Sequence, residues 1–232
     1  MKYWAGLLIW LKKGGIKMTE KIRINWITVL MLIIFWGVCA SFYPQLPEQV
    51  PTHWNLQGEV DDYSHKAVAS LIMPALPLLI YILMTVTAKI DPKKENYSKF
   101  GVSYEKIRMA IVLIMMGFST IALLPSLGYD IDIGIFARIM VPLLFIFIGN
   151  YMGKIRHNYF IGIKVPWTLA SEEVWTKTHR LGGRLMVIGG VIALLGAFAT
   201  PTIGFAIMMA GVILPSIISM VYSYLLYQKI VN

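Results

Sequence analysis

Two histidines and two aspartates lie close together in one polar segment, and these side-chain types bind divalent metals. His53, Asp61, Asp62 and His65 occupy the segment 53–65. Their spacing matches none of the ligand patterns of structural or catalytic zinc sites. We therefore expect no metal site and no other cofactor, and we interpret the segment as a surface for folding or for binding.

The sequence motifs of covalent and metal-dependent catalysis are absent. The chain has no Gly-x-Ser-x-Gly or His-Glu-x-x-His motif, no phosphate-binding glycine loop and no pair of acids within an apolar run. We therefore expect a protein that is not an enzyme. An intramembrane enzyme that uses His53 or His179 is the least favoured alternative.

Arg138 is nearly the only ionisable side chain inside an apolar run. A transporter is expected to carry several such groups along its path. Arg138 lies close enough to the outer end of its run to reach the surface, or to pair with Asp61, Asp62, Asp130 or Asp132. Pairing is the favoured interpretation, and a small multipass transporter or lipid-handling permease remains the alternative function.

The composition is that of a membrane protein. Of the 232 residues, 57% are hydrophobic and only 14% are charged, against roughly 25% charged residues in an average soluble domain. The mean hydropathy is +0.67. A soluble globular fold is therefore excluded, and the single cysteine, Cys39, excludes an intrachain disulfide.

The apolar runs predict an all-α fold, a polytopic six-helix transmembrane bundle. A helix needs about 20 apolar residues to cross a bilayer. The predicted spans are residues 25–43, 67–88, 109–127 and 133–151, followed by two spans within 185–227. The last segment carries no charge, and the proline and glycine in the turn at 200–204 divide it.

The positions of lysine and arginine predict the orientation. The net charge is +9, and nearly all of the 21 basic residues precede the first span, follow the last one, or fall in the second and fourth loops. Positively charged short loops remain in the cytoplasm. Both termini are therefore expected on the cytoplasmic side of the membrane, and the basic charge does not indicate direct nucleic-acid binding.

Three parts follow from this topology. Residues 1–24 form a cytoplasmic amino-terminal segment; either translation starts at Met18 rather than Met1, or residues 3–11 form an interfacial helix. Residues 25–106 form an amino-terminal module of two spans with an outer loop at 44–66. Residues 107–232 form a module of four spans with a cytoplasmic loop at 152–184.

The two loops concentrate the polar and aromatic motifs of the chain. The outer loop 44–66 has the proline, amide and glycine content of an ordered turn or a small hairpin on the bilayer. In the inner loop, Thr168 or Ser171 before two glutamates predicts the start of an amphipathic helix. Helical spacing then places Trp175, His179 and either Gly182 or Gly183 on one packing stripe. A purely structural role is the alternative for both loops.

These segments together resemble the SdpI family of bacterial toxin-immunity membrane proteins and the amino-terminal module of unknown function that accompanies it. The outer matches are Pro47, Pro51, His53, Trp54, Asn55, Gly58, Asp61, Tyr63 and Lys66. The inner matches are Gly149, Asn150, Asn158, Gly162, residues 166–169, Trp175, residues 178–180 and Gly183. Lys164 departs from the family pattern, in which arginine is expected, so the charge is kept but bidentate bonding is not.

The resemblance implies a multipass protein of the bacterial plasma membrane that contacts membrane lipids. It implies that the protein protects its cell from a secreted membrane-active peptide, the sporulation-delaying toxin. It also implies that a small helix-turn-helix repressor is held at the membrane. The expected toxin-binding residues are His53, Trp54, Asn55, Gly58, Asp61, Tyr63 and Lys66. The expected cytoplasmic signalling residues are Asn150, Asn158, Gly162, Lys164, Pro166, Trp167, Thr168, Trp175, His179 and Arg180.

Overall fold

The computed structural model describes residues 24–231. Within this part of the chain, six helices are long and apolar enough to cross a membrane, and their ranges overlap all six predicted spans. The all-α transmembrane fold is thereby confirmed. The predictions for the amino-terminal segment 1–24, including the start at Met18, fall on residues 1–23 and so lie outside the described residues.

Seven α-helices and one short hairpin are the main elements of the described fold. The helices are α1 (Trp26–Phe42), α2 (Lys66–Ile90), α3 (Gly101–Leu123), α4 (Ile133–Met152), α5 (Pro166–Ala170), α6 (Glu172–Leu195) and α7 (Pro201–Val231). The strands are β1 (Gln49–Trp54) and β2 (Val60–His65). All of the helices except the short α5 belong to candidate membrane spans.

Side-chain caps fix where several spans begin. The first backbone N–H groups of a helix have no partner within the helix, so a preceding polar side chain that accepts from them stabilises the start. Asn25 accepts from the N–H groups of the first turn of α1, Asp132 accepts from Ile135 N–H in α4, and Ser171 accepts from Val174 N–H in α6. The predicted helix start at Ser171 is confirmed.

The predicted amphipathic helix of the loop 152–184 and the predicted fifth span form one continuous helix. Helix α6 runs without interruption from Glu172 to Leu195, and Gly182 and Gly183 are buried within it. Residues 153–171, which include α5, connect it to α4.

Glycines allow α6 to pack closely on both of its neighbours. A Cβ atom built on Gly183 would lie 2.7 Å from the carbonyl oxygen of Gly149 in α4. A Cβ atom on Gly189 would lie 2.1 Å from the carbonyl oxygen of Gly211 in α7. Such contacts exist only because these residues lack side chains, and close approach of backbones is how apolar helices associate in lipid.

The predicted outer loop 44–66, expected as an ordered turn or a small hairpin, folds as a small hairpin. Strands β1 and β2 pair in antiparallel fashion, with Gln49 opposite His65 and Trp54 opposite Val60. Val50 and Leu46 are buried in a cluster with residues of α1, α2 and α3. The hairpin is therefore anchored on the ends of these three helices.

Candidate functional site

Asn55 and Gly58 build the turn of the hairpin. The Asn55 Oδ1 atom accepts hydrogen bonds from the backbone N–H groups of Gln57 at 2.9 Å and Glu59 at 3.0 Å. Gly58 has a φ of +88°, a conformation that favours glycine. A Cβ atom on Gly58 would lie 3.5 Å from the Asp132 carboxylate. The turn therefore rests against the start of α4.

The hairpin presents charged and aromatic side chains to its surroundings. His53 Nδ1 lies 2.6 Å from Asp61 Oδ1, and 68% and 42% of these side chains are exposed. Tyr63 is also exposed. Exposed polar contacts contribute little to stability, so these groups are available to a partner. Among residues 24–231, no cluster of three or more His, Cys, Asp or Glu side chains is arranged to hold a metal ion.

Glu48 and Lys66 connect the two ends of the hairpin. The Lys66 Nζ atom donates to Glu48 at 2.8 Å, and His65 Nε2 lies 3.1 Å from the same carboxylate. The hydrogen bond from Lys66, followed by its positive charge, lowers the pKa of Glu48 below its usual value. Lys66 therefore holds the base of the hairpin.

A cavity of about 390 Å³ lies beneath the hairpin. Thr52, His53, Trp54 and Asn55 contribute to its wall, and residues of α2, α3, α4 and α7 complete it. Pockets for small ligands occupy roughly 300–1,000 Å³. The outer candidate residues thus include part of the wall of a ligand-sized space.

Arg138 reaches this cavity from α4. Its Nε and Nη1 atoms each donate at 3.3 Å, to the carbonyl oxygens of Gly134 and Ala199. Its Nη2 atom lies 3.9 Å from the Asp132 carboxylate. The predicted pairing of Arg138 with an outer aspartate is confirmed, and Asp132 is the partner.

On the opposite end of the bundle, the connection 153–165, helix α5 and the first turns of α6 form a folded unit that we call the inner platform. Asn158 is fully buried in it. Its Oδ1 atom accepts from Phe160 and Ile161 N–H, and its Nδ2 atom donates to the carbonyl oxygens of Arg156 and Ile161. Asn158 therefore fixes the turn that follows α4.

Asp91 joins the inner platform to the end of α2. It is buried, and its carboxylate accepts from Lys93 N–H at 2.7 Å, Tyr159 N–H at 2.9 Å and the Tyr97 hydroxyl at 3.1 Å. The Tyr97 hydroxyl is also 3.4 Å from Asn158. Burial, and then the charge of Asp91, raise the pKa of Tyr97 above its usual value, which keeps the hydroxyl protonated as a donor.

Trp175 and His179 form the centre of the inner platform. Their rings stack at 4.0 Å between centroids. The Trp175 indole N–H donates to Ile155 O at 3.0 Å, and His179 Nε2 accepts from Ile163 N–H at 3.0 Å. Gly162, with a φ of +120°, lies directly against the His179 ring. The predicted packing of Trp175 and His179 along one buried face of the helix is confirmed.

Thr168 and Trp167 fasten α5. The Thr168 hydroxyl accepts from Val165 N–H at 3.0 Å and donates to Ile163 O at 2.8 Å. The Trp167 indole N–H donates to Ser223 Oγ of α7. Pro166 is the first residue of α5, where a proline's missing N–H has no cost.

His157 is a buried member of the inner platform that the sequence reasoning did not single out. Its Nδ1 atom lies 2.8 Å from Lys93 Nζ. Burial, and then the charge of Lys93, lower the pKa of His157 below its usual value. His157 is therefore a neutral acceptor for the lysine at neutral pH.

The exposed inner candidates are Asn150, Lys164, Pro166 and Arg180. Asn150 and Arg180 line one groove of about 520 Å³ together with Arg184. The Lys164 Nζ atom donates to the carbonyl oxygen of Phe160 at 3.0 Å. The structure thus brings Asn150 and Arg180 to one surface and places most other inner candidates in the packed interior.

The structure corrects the sequence-based placement of Arg108 in the second loop. The charge distribution assigns Arg108 to the second loop, but the residue lies within α3 and is fully buried. It donates to Thr85 Oγ1 at 2.6 Å, pairs with Glu105 and lies over the Tyr81 ring. Partners supplied by α2 explain its burial, and hydropathy alone does not reveal them.

Two segments of the chain match known family models. Residues 154–223 match the SdpI/YfhL protein family, and residues 30–78 match a domain of unknown function, DUF1648. The predicted resemblance to the SdpI family is confirmed. The SdpI-like segment contains most of the inner platform, and the DUF1648 segment contains the hairpin.

A curated relative extends this likeness over nearly the whole chain. The protein named Immunity protein SdpI from Bacillus subtilis strain 168 is 29% identical over 206 residues, which are 89% of this chain and 97% of that protein. No solved structure matches the chain significantly. The six apolar helices and this SdpI relative identify a multi-pass bacterial membrane protein.

Proposed function

We propose that this chain is a membrane immunity protein that protects its cell against a secreted membrane-active peptide and is not an enzyme. The observation that carries the proposal is its similarity to Immunity protein SdpI over 97% of that protein. The peptide to be tested is the sporulation-delaying toxin that the family resemblance implies. A small transporter or lipid-handling permease is less favoured because Arg108, buried within a span, is engaged by Thr85 and Tyr81 of a neighbouring helix.

The outer hairpin is the proposed contact with the toxin. His53, Asp61 and Tyr63 present exposed side chains, and Trp54 contributes to the cavity wall. Asn55, Gly58 and Lys66 act by holding the hairpin in shape, because their interactions are within it or at its base.

Replacing Asp61 with alanine is expected to reduce protection severalfold while membrane abundance stays unchanged. The change removes an exposed carboxylate and its contact with His53, and neither group is needed for packing. Survival against added toxin and protein abundance in isolated membranes should be measured together. Asp62→Ala is the matched control, because Asp62 is an exposed acid whose side chain accepts from Tyr63 N–H within the same strand. Equal sensitivity of the two variants would refute a specific contact at Asp61.

The proposed orientation places the hairpin outside and both termini in the cytoplasm. It rests on the distribution of lysine and arginine among the loops. In this orientation the module 25–106 presents its candidate residues outside the cell, and the module 107–232 presents its candidate residues to the cytoplasm. A reporter active only outside the cytoplasm is expected to work when fused after Gly58 or Asp130. It should be inactive after Glu95 or Ala170. Activity after Glu95 would reverse the orientation.

The groove between α4 and α6, beside the inner platform, is the proposed docking site of a small helix-turn-helix repressor. Asn150 and Arg180 line this open groove, while the buried candidates give this surface its shape. A toxin bound outside changes repressor binding only if it favours one arrangement of the bundle over another.

Replacing Arg180 with alanine is expected to uncouple repressor-controlled reporter output from protection. The change removes an exposed charge from the groove but leaves the outer hairpin intact. Reporter output and survival should be measured in the same strain. Lys177→Ala is the control, since Lys177 is an exposed cation on the same helix that pairs with Glu173 outside the groove. Joint loss of both functions at normal protein abundance would contradict a separate docking site.

A further inference from the structure

The cavity beneath the outer hairpin contains a positive charge that its surroundings neutralise only in part. The Arg138 side chain is 7% exposed, and its two hydrogen bonds, both 3.3 Å long, go to neutral carbonyl oxygens. The one carboxylate within 4 Å among the described residues is that of Asp132, at 3.9 Å, on a side chain that is 56% exposed. A guanidinium has five donors, and a buried charge is costly without close anionic partners.

The rest of the cavity wall is mostly apolar. It includes Met73 of α2, Phe118 of α3, and Phe205 and Met208 of α7. A largely apolar pocket with a single convergent charge orients a ligand through that charge and binds its body through the hydrophobic effect. The wall therefore matches a molecule with an apolar body and one anionic end.

Arg138 is held in position by the helices around it. The space beside Gly204 of α7 is so narrow that a Cβ atom there would lie 2.9 Å from Arg138 Nη1. The bond to Ala199 ties the same atom to the turn before α7. A charge fixed in this way requires little ordering when a ligand arrives, which favours binding.

We infer that this cavity binds an apolar molecule through a carboxylate that pairs with Arg138. Two sources share this chemistry: the free carboxyl terminus of an apolar peptide, and a fatty acid from the membrane. The inference does not depend on the proposed immunity function, because ligand binding by the purified protein is measured without toxin or cells.

The test uses the full chain in nanodiscs of phosphatidylcholine. The probes are acetyl-Leu-Leu-Phe with a free carboxyl terminus, the same peptide as its amide, dodecanoate, and methyl dodecanoate. Binding is followed by titration calorimetry. At least one of the two acids should bind, and its neutral counterpart should bind about tenfold more weakly or worse, since hydrogen bonds to charged groups contribute about 1.5–3 kcal/mol.

Arg138→Gln should weaken binding of the acid to the level of its neutral counterpart. Lys177→Gln, at an exposed cation outside both the cavity and the groove, should bind like the unchanged protein. Ala137→Leu keeps Arg138 but fills part of the cavity, so it should abolish binding of the acid. This variant tests the cavity as the binding site if Arg138→Gln does not fold. Binding of the peptide acid alone identifies a peptide terminus, and binding of dodecanoate alone identifies a lipid. Equal binding of acid and neutral forms, or of neither, overturns the inference.

Discussion

Replacing Gly162 with alanine is expected to lower the free energy of unfolding by about 2–6 kcal/mol. An alanine at a φ of +120° is strained by about 1–3 kcal/mol. Its Cβ atom would also lie 2.3 Å from His179 Nε2, and overpacking of a close-packed interior costs about 1–3 kcal/mol more. Thermal unfolding of the purified protein in detergent measures the effect.

Gly128 provides the matched control for this substitution. Its φ is +86°, so alanine is strained there too, but nothing lies within 4 Å of the added Cβ atom. Gly128→Ala should therefore show the backbone cost alone and unfold at a higher temperature than Gly162→Ala. Equal destabilisation of the two variants would show that the close contact with His179 does not matter.

Gly189→Val is expected to separate α6 from α7 and to destabilise the protein by about 3 kcal/mol or more. The Cβ position lies 2.1 Å from Gly211 O and 2.6 Å from Pro215 Cγ. A backbone oxygen and a proline ring have no alternative rotamer, so the helices themselves must move. Low abundance in membranes and a reduced unfolding temperature in detergent are the expected results.

The control for the helix crossing is Gly37→Val. Gly37 lies in α1, and nothing is within 4 Å of an added Cβ atom there. This variant should accumulate and unfold like the unchanged protein. If Gly189→Val were tolerated as well as Gly37→Val, the described close packing of α6 against α7 would be contradicted.

Local patterns explain the parts of the fold that were predictable. The length of an apolar run determines whether a helix can span a bilayer. A capping residue such as Ser171 bonds to an N–H group only three residues further along the chain, so the helix start can be predicted from a short segment. The hairpin follows from turn residues in one short segment, and Asp132 lies close enough in sequence to Arg138 to be weighed as its partner. Each of these inferences needs few distant contacts.

Contacts between distant segments explain what was missed. Asp91 can be buried because Tyr97 and Tyr159 donate hydrogen bonds to its carboxylate. The residues next to Asp91 in the sequence do not predict that Tyr159 is one of its partners. Arg108 is buried because α2 supplies Thr85 and Tyr81. Counting charges in apolar windows treats such residues as exposed loop charges. The motif residues of the inner platform are concentrated in one segment of the sequence, which makes the segment recognisable. The hydrogen bonds among them are visible only in the folded structure.

The most direct test of the proposed function is the membrane potential of living cells exposed to the sporulation-delaying toxin. A potential-sensitive dye should be followed in a sensitive strain with and without the protein, with Asp61→Ala as a third arm and membrane abundance checked in each. The proposal predicts that the potential collapses in cells without the protein, persists in cells that carry it, and falls partly in the variant. Equal collapse with and without the protein, at normal abundance, would contradict the immunity function.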